Sequence, residues 1–160
     1  MKFKLAIFTI FIALIGLNAS AQQTKDNTNK NPDMRIKLPL TPVERHLVLL
    51  EMRNFVIAIN SILDGIATDD MTKVATSART MGSAAANAVP PSVVAKLPYT
   101  FKTYAGNVHT TFDQIALDAE AFGDNMHTIG QLSKLTQNCV GCHAIYQIET
   151  INLNNRISGN

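Results

Sequence analysis

Apolar residues recur at intervals of three and four along four segments of the chain, which is the spacing of amphipathic helices. The first segment opens at Thr41-Pro42-Val43-Glu44. A Thr N-cap, a Pro at the first helical position and a Glu three residues after the cap form a capping box. The pattern predicts a helix to about Asp64, closed by Gly65. One stripe of this helix should carry Arg45, Leu49, Met52, Val56, Ile59 and Leu63.

Three further helices are predicted after the first. The second should start at Thr68 and end where Val89-Pro90-Pro91 interrupts the hydrogen-bond ladder. The third should run from about Pro98 to Gly123, and the fourth should begin near Asp124 or Asn125. The apolar faces of these helices carry Met71, Val74, Ala75, Ala78, Met81 and Ala85 in the second, Phe101, Ala105, Val108, Phe112, Ile115, Ala119 and Phe122 in the third, and Leu132, Leu135, Cys139, His143 and Tyr146 in the fourth.

No segment alternates between apolar and polar residues with a sustained period of two. The predicted fold class is therefore all-α. Four helices joined by mostly short connections favour antiparallel neighbours, and the predicted architecture is an antiparallel four-helix bundle.

The N-terminus has the features of an export signal. Lys2 and Lys4 precede a thirteen-residue apolar run from Leu5 to Leu17, which is too short to span a bilayer, and small residues at positions 19 and 21 suit cleavage before Gln22. Residues 1–21 are thus predicted to be a signal peptide, with no membrane anchor and no cysteine near the cut for a lipid anchor. The alternative is an uncleaved anchor.

The rest of the chain divides into three parts. Residues 22–40 are polar and contain two prolines, so they are predicted to be a flexible tether. Residues 41–152 form the helical domain, and residues 153–160 are a C-terminal tail. About 139 residues remain after cleavage, enough for one domain with a core.

Charge excludes two classes of partner. Cleavage removes two of 14 basic residues and no acidic one, leaving 12 basic against 12 acidic residues. A near-neutral chain without a basic run argues against a nucleic-acid or an anionic-membrane partner, because both depend on clustered Lys and Arg.

The only two cysteines stand in Cys139-Val140-Gly141-Cys142-His143, the attachment pattern of c-type haem. Two thiols three residues apart reach the two vinyl groups of one porphyrin edge, and the adjacent imidazole then points at the iron. Covalent attachment of this kind takes place outside the cytoplasm, which agrees with the predicted export. One haem c is therefore expected, bonded to Cys139 and Cys142 with His143 as the proximal iron ligand.

Other uses of the pair are weaker. A thioredoxin-like dithiol needs a βαβ surround, which the sequence does not predict. A structural zinc site needs further ligands, and His46, His109 and His127 are not part of a second cysteine motif. A disulfide over two intervening residues would be strained and would close almost no loop.

The motif lies at the C-terminal end of the helical domain and is followed three residues later by Tyr146. The chain resembles the class II cytochromes c, the cytochrome c′ family and its low-spin relatives. The resemblance rests on the C-terminal position of the motif, on Tyr146 and on the stretch from Arg45 to Met52. The resemblance implies a four-helix bundle with haem near the C-terminal helix, and periplasmic residence. The family commonly has a basic residue after the aromatic, and here that position is Gln147.

In the family that the chain resembles, the first helix supplies the distal side of the haem. Two residues of its predicted stripe compete for that place. Met52 as sixth ligand would give a low-spin His/Met site, whereas Leu49 would leave a five-coordinate iron. Met52 as a core residue is the alternative. Arg45 is a candidate partner of a haem propionate, or an exposed residue at the helix start.

These residues lead to a predicted function. The first hypothesis is a periplasmic electron carrier that is not an enzyme, and the alternative is a cytochrome c′ that binds nitric oxide or carbon monoxide. A haem enzyme would need distal acid-base groups, and His109 is the one unplaced candidate. His109 is otherwise expected to be a neutral core or rim histidine, a partner of a haem propionate or an alternative axial ligand. Redox proteins are the expected partners. Leu47, Leu50 and Ile57 face away from Met52, which predicts a homodimer through the first two helices.

Overall fold

The computed structural model describes residues 33–150, with the side chain of residue 150 left aside. This part of the chain is mostly helical, and the all-α class is confirmed at that level. Its element order is β1 (Ile36–Leu40), α1 (Pro42–Ala67), α2 (Met71–Arg79), a 3-10 segment (Ser83–Ala88), α3 (Pro91–Val94), α4 (Tyr99–Phe122), α5 (Asn125–Ile145) and β2 (Tyr146–Thr150). The predicted signal peptide and C-terminal tail lie outside the described residues.

The capping box predicted for the first helix is confirmed. The Thr41 hydroxyl accepts from the Glu44 N–H at 3.4 Å, and the Glu44 carboxylate accepts from the Thr41 N–H at 3.0 Å. Glu44 also pairs with Lys96, and this bond is the first cause of the lowered pKa of Glu44. These interactions anchor the start of α1 beside α3.

Gly65 does not close α1, contrary to the prediction. The helix continues to Ala67, and Gly65 is buried within it. A Cβ at this position would lie 2.9 Å from Val74 Cγ2 and 3.0 Å from the Asp70 carbonyl oxygen. The glycine is thus required where α2 approaches α1, and the reversal follows at Asp69, whose φ is 56°.

The second predicted helix is shorter than expected at both ends. It begins at Met71, where the Asp70 carboxylate accepts from the Lys73 N–H at 2.8 Å, and it ends at Arg79. A 3-10 segment then replaces the expected last turns, and Asp113 of α4 accepts from the Ser83 N–H at 2.9 Å. This contact from a distant helix has no counterpart in the local sequence pattern.

The predicted limits of the third helix and the predicted start of the fourth are confirmed. Tyr146, which was expected on the apolar face of the fourth helix, lies outside it, because α5 ends at Ile145 and Tyr146 begins β2. Tyr99–Phe122 ends at Gly123 in the left-handed conformation, with φ of 60°, and Asp124 caps Asn125–Ile145 by accepting from the Met126 and His127 N–H groups. The main helix contacts are α1 with α2, α2 with α4, and α4 with α5.

The sheet is a feature that the sequence did not predict. Strands β1 and β2 pair in parallel, with Ile36 opposite Tyr146 and Leu38 opposite Ile148. Leu38 and Leu40 are 3% and 1% exposed. The predicted tether at 22–40 therefore fails at its C-terminal end, because two alternating leucines bury against the helices; residues 22–32 lie outside the described part.

The core has two clusters. The first joins α1, α2, α4 and α5 around Ile62, Phe112, Ile115 and Leu135. The second joins the sheet to the starts of α1 and α4 and to α3, and it consists of Leu38, Leu40, Val48, Val89, Val93, Leu97, Phe101 and Tyr146. The sheet is therefore fastened by side chains as well as by backbone pairing.

The buried face of α1 is rotated from the predicted stripe. Its buried residues are Val48, Ala58, Ile62 and Gly65, whereas Val56 is 66% and Leu63 48% exposed. By length and composition alone, α1 is long and apolar enough to cross a membrane. Apolar residues occur on nearly every side of α1. The three- and four-residue spacing of apolar positions therefore does not determine which side of α1 faces the core.

Candidate functional site

The last two turns of α5 carry the motif cysteines and the histidine. Cys139 and Cys142 are half-buried free thiols, and the Cys139 S–H donates to the Leu135 carbonyl oxygen at 3.8 Å. Burial raises the pKa of both thiols. This is opposite to the lowered pKa of reactive dithiols, which favours the thiolate.

A groove of about 740 Å³, open solvent at its mouth included, lies against these residues. Both thiols and His143 line it, together with mostly apolar side chains from α1, α4 and α5. The other lining residues are Glu51, Met52, Phe55, Val56, Ile59, Phe101, Tyr104, Ala105, Val108 and Asn138. We call this cavity the apolar groove.

A second cavity of about 660 Å³ lies next to the apolar groove and is more polar in its lining. Met52, Phe101, Cys142 and His143 line both cavities. The residues found only in the second are Arg35, Leu49, Tyr146, Gln147 and Ile148. We call it the strand-side cavity, because β2 and the residue that precedes β1, Arg35, border it.

The structure brings together most of the predicted site residues. Met52 lines both cavities with His143, and Leu49 lines the strand-side cavity only. Arg45 is exposed and lines neither cavity. The rotation of α1 leaves Met52 and Leu49 partly buried at the edge of its buried face, where both border a cavity and Met52 also packs against the second core cluster.

The donor set of the two cavities fits a c-type haem. The apolar groove is lined by two thiols on one helical turn, by the adjacent imidazole and by a thioether from another helix. Its apolar walls include Phe55, Phe101 and Val108. Within residues 33–150, by contrast, no group of three His, Cys, Asp or Glu side chains is close enough to hold a metal ion. A structural zinc site needs four such ligands.

Gly141 lets α4 approach the motif. A Cβ at position 141 would lie 2.9 Å from the Tyr104 hydroxyl oxygen and 3.0 Å from its ring. Tyr104 thus packs over the turn between the two cysteines and also lines the apolar groove. The periodicity of α4 gave no reason to single out this tyrosine.

The segment after the motif is held by β1. Tyr146 is 8% exposed and meets Phe101 edge to face, with ring centroids 5.7 Å apart. The Gln147 side chain donates to the Arg35 carbonyl oxygen at 3.1 Å, and Arg35 Nη1 donates to the His143 carbonyl oxygen at 3.1 Å. A basic side chain therefore lies beside the His143 backbone, and it comes from Arg35, immediately before β1, rather than from position 147.

His109 is a partnered core residue. It is 4% exposed, its Nδ1 lies 2.8 Å from the Met81 carbonyl oxygen, and its Nε2 lies 3.4 Å from Glu51 Oε1. Burial alone would lower the pKa of His109, but the bonds to Glu51 and Met81 outweigh it, and the pKa is raised. His109 lines neither the apolar groove nor the strand-side cavity.

His46 and His127, the other two histidines considered for a zinc site, line neither the apolar groove nor the strand-side cavity. His46 is exposed, and His127 pairs with Asp118 at 2.9 Å on the surface.

Comparison with known proteins gave no match to a family model, to a curated protein or to a solved structure.

Proposed function

We propose that this chain is a periplasmic monohaem c-type cytochrome that transfers electrons through an iron ligated by His143 and Met52. The observation that carries the proposal is the convergence of both motif thiols, His143 and Met52 on the apolar groove. A bound haem would supply a one-electron carrier whose potential depends on its axial ligands. On this proposal α1, α2, α4 and α5 form an antiparallel bundle of the class II type.

The cysteines act as covalent anchors. Cys139 and Cys142 are on one turn of α5, three positions apart, so that both thiols face the same edge of a flat group in the groove. Burial raises the pKa of both thiols, and each sulfur would hold the haem through one thioether bond. His143 follows on the same helix and supplies the imidazole.

Met52 is the proposed sixth ligand because it lines both cavities together with His143. Its side chain is only partly buried and comes from α1, whereas His143 comes from α5. The thioether and the imidazole thus come from two different helices, and Met52 and His143 would hold the iron between α1 and α5. Glu51 and Phe55 on the same helix turn continue the groove wall.

Covalent attachment is tested by acid-acetone extraction of the mature protein. The colour should stay with the protein, and colour in the solvent would refute the central proposal. Replacing Cys139 and Cys142 together by Ser should release the haem and destabilise the fold, since the groove would lose its main apolar contact.

The axial ligand is tested by Met52→Ala. The ferric haem should change from low to high spin, its reduction potential should fall, and the ferrous protein should bind carbon monoxide, because a thioether favours ferrous iron. Leu49→Ala is the matched control and should leave the spin state unchanged. A wild-type protein that is already high spin and binds carbon monoxide would contradict Met52 ligation.

That result would instead support the second candidate, a five-coordinate cytochrome that binds nitric oxide or carbon monoxide. The observation in its favour is that Leu49 lines the strand-side cavity with His143. An alkyl side chain at the iron would exclude a strong protein ligand while leaving room for a small gas.

A further inference from the structure

Strand β1 places one arginine at the edge of the site. Arg35 immediately precedes β1, and its Nη1 donates to the carbonyl oxygen of His143 in the last turn of α5. A cationic side chain at a helix C-terminus is favourable, because the last carbonyls carry partial negative charge. The parallel pairing of β1 with β2 fixes Arg35 in this place, since Ile36 is in register with Tyr146.

The two cavities differ in charge. Among the described residues that line them, Arg35 is the only Lys or Arg and Glu51 the only Asp or Glu. Arg35 borders the strand-side cavity and Glu51 the apolar groove. A ligand that spans both cavities therefore meets positive charge at one end and negative charge at the other.

We propose that Arg35 binds a propionate carboxylate of the haem, so that the propionate edge faces the β1–β2 side and lies away from Glu51. This inference rests on the proposed haem site. A guanidinium carries five N–H donors in a planar fork and can serve a carboxylate in addition to the His143 carbonyl oxygen. A carboxylate beside Glu51, which already pairs with His109 Nε2 at 3.4 Å, would instead leave water without a cationic partner of its own.

The role of Arg35 also explains why β1 matters for the site. Through one guanidinium, the strand would join the haem edge to the carbonyl oxygen of the proximal histidine. Arg45, the arginine that the sequence favoured for a propionate, lies exposed on α1 and lines neither cavity. The two arginines therefore form a matched pair for a test.

The test compares Arg35→Gln with Arg45→Gln in the covalently loaded protein. Each variant removes one positive charge. Arg35 is exposed, and Arg35→Gln should lower the equilibrium constant for reduction by up to about fivefold, the upper end of the range for an exposed ion pair, because a nearby positive charge stabilises the reduced haem. It should also shift the propionate bending mode in the resonance Raman spectrum. Arg45→Gln should change neither the equilibrium constant for reduction nor the propionate bending mode.

Two further variants separate the propionate contact from effects on the strand. Lys37→Gln removes an ion pair with Glu149 at 3.1 Å across the two strands and should leave the potential and the Raman mode unchanged. Arg35→Lys keeps the charge without the fork, and it should shift the Raman mode while retaining most of the potential. Equal spectra and potentials for wild type and Arg35→Gln would overturn the inference, as would a larger shift for Arg45→Gln.

These outcomes differ from failure of the haem proposal itself. If the wild-type protein holds no covalent haem, the proposed function is refuted before any arginine is changed. If it holds covalent haem and Arg35→Gln is silent, only the assignment of the propionate edge is refuted.

Discussion

Leu40→Ala tests whether β1 is part of the folded domain. Leu40 is 1% exposed and packs in the second core cluster with Val48, Phe101 and Tyr146. Three carbon atoms are removed, which corresponds to about 2.4 kcal/mol at about 0.8 kcal/mol per buried methylene. The cavity left behind adds to this loss, and buried Leu→Ala changes cost about 2 to 5 kcal/mol in total. We expect a loss of that size in the free energy of unfolding.

Urea denaturation of the protein measures this loss. With a slope of about 1 to 3 kcal/mol per molar urea, the midpoint should fall by roughly 1 M or more. The matched control is Leu117→Ala, since Leu117 is 55% exposed on α4 and should cost within about 0.5 kcal/mol. Equal midpoints for the two variants would refute the docking of β1 and return residues 36–40 to the tether.

Three further outcomes are expected. Gly65→Ala should destabilise the fold by about 1 to 3 kcal/mol through overpacking, whereas Gly130→Ala, with no atom within 4 Å of the added Cβ, should stabilise it by about 0.5 to 1 kcal/mol; thermal unfolding compares them. The raised pKa of His109 means that its pairing with Glu51 stabilises the fold below the unfolded-state pKa and that this stability is lost as pH rises through the folded-state pKa. Urea midpoints from pH 5 to pH 9 should therefore fall more in wild type than in His109→Gln, and parallel profiles would contradict this reasoning. Sedimentation at micromolar concentration should show a homodimer through α1 and α2, weakened by Ile57→Glu; a monomeric wild type would refute it.

Helix ends were predictable where their determinants are local. The capping box at Thr41 and Glu44, the cap at Asp124 and the left-handed Gly123 each depend on residues within four positions, so the sequence pattern contains the whole interaction. Gly65 also looked like a local signal. Its role depends on Val74 of the next helix, which no reading of α1 alone includes.

The residues of the candidate site also fall into those that the sequence predicted from local patterns and those that depend on distant elements. Cys139, Cys142 and His143 follow from a contiguous motif, and Met52 and Leu49 from helical spacing with a family resemblance. Arg35 and Tyr104 reach the cavities from other elements: Arg35 because β1 pairs with a strand more than one hundred residues away, and Tyr104 because Gly141 leaves room for its ring. Only two buried leucines marked β1, too few to show a period.

The parallel pairing of β1 with β2 has a consequence for the order of folding. Arg35 and His143 are 108 residues apart in the chain, and closing a loop of that length costs about 4 kcal/mol in chain entropy. Two strands alone do not repay this cost, so β1 can dock only after the helices have brought Val48 and Phe101 together. Contacts of such long range form late. If the chain carries the proposed haem, Arg35 would therefore reach the His143 carbonyl oxygen only after the helices around Cys139 and Cys142 have assembled, and the docking of β1 would be the last step in completing the site.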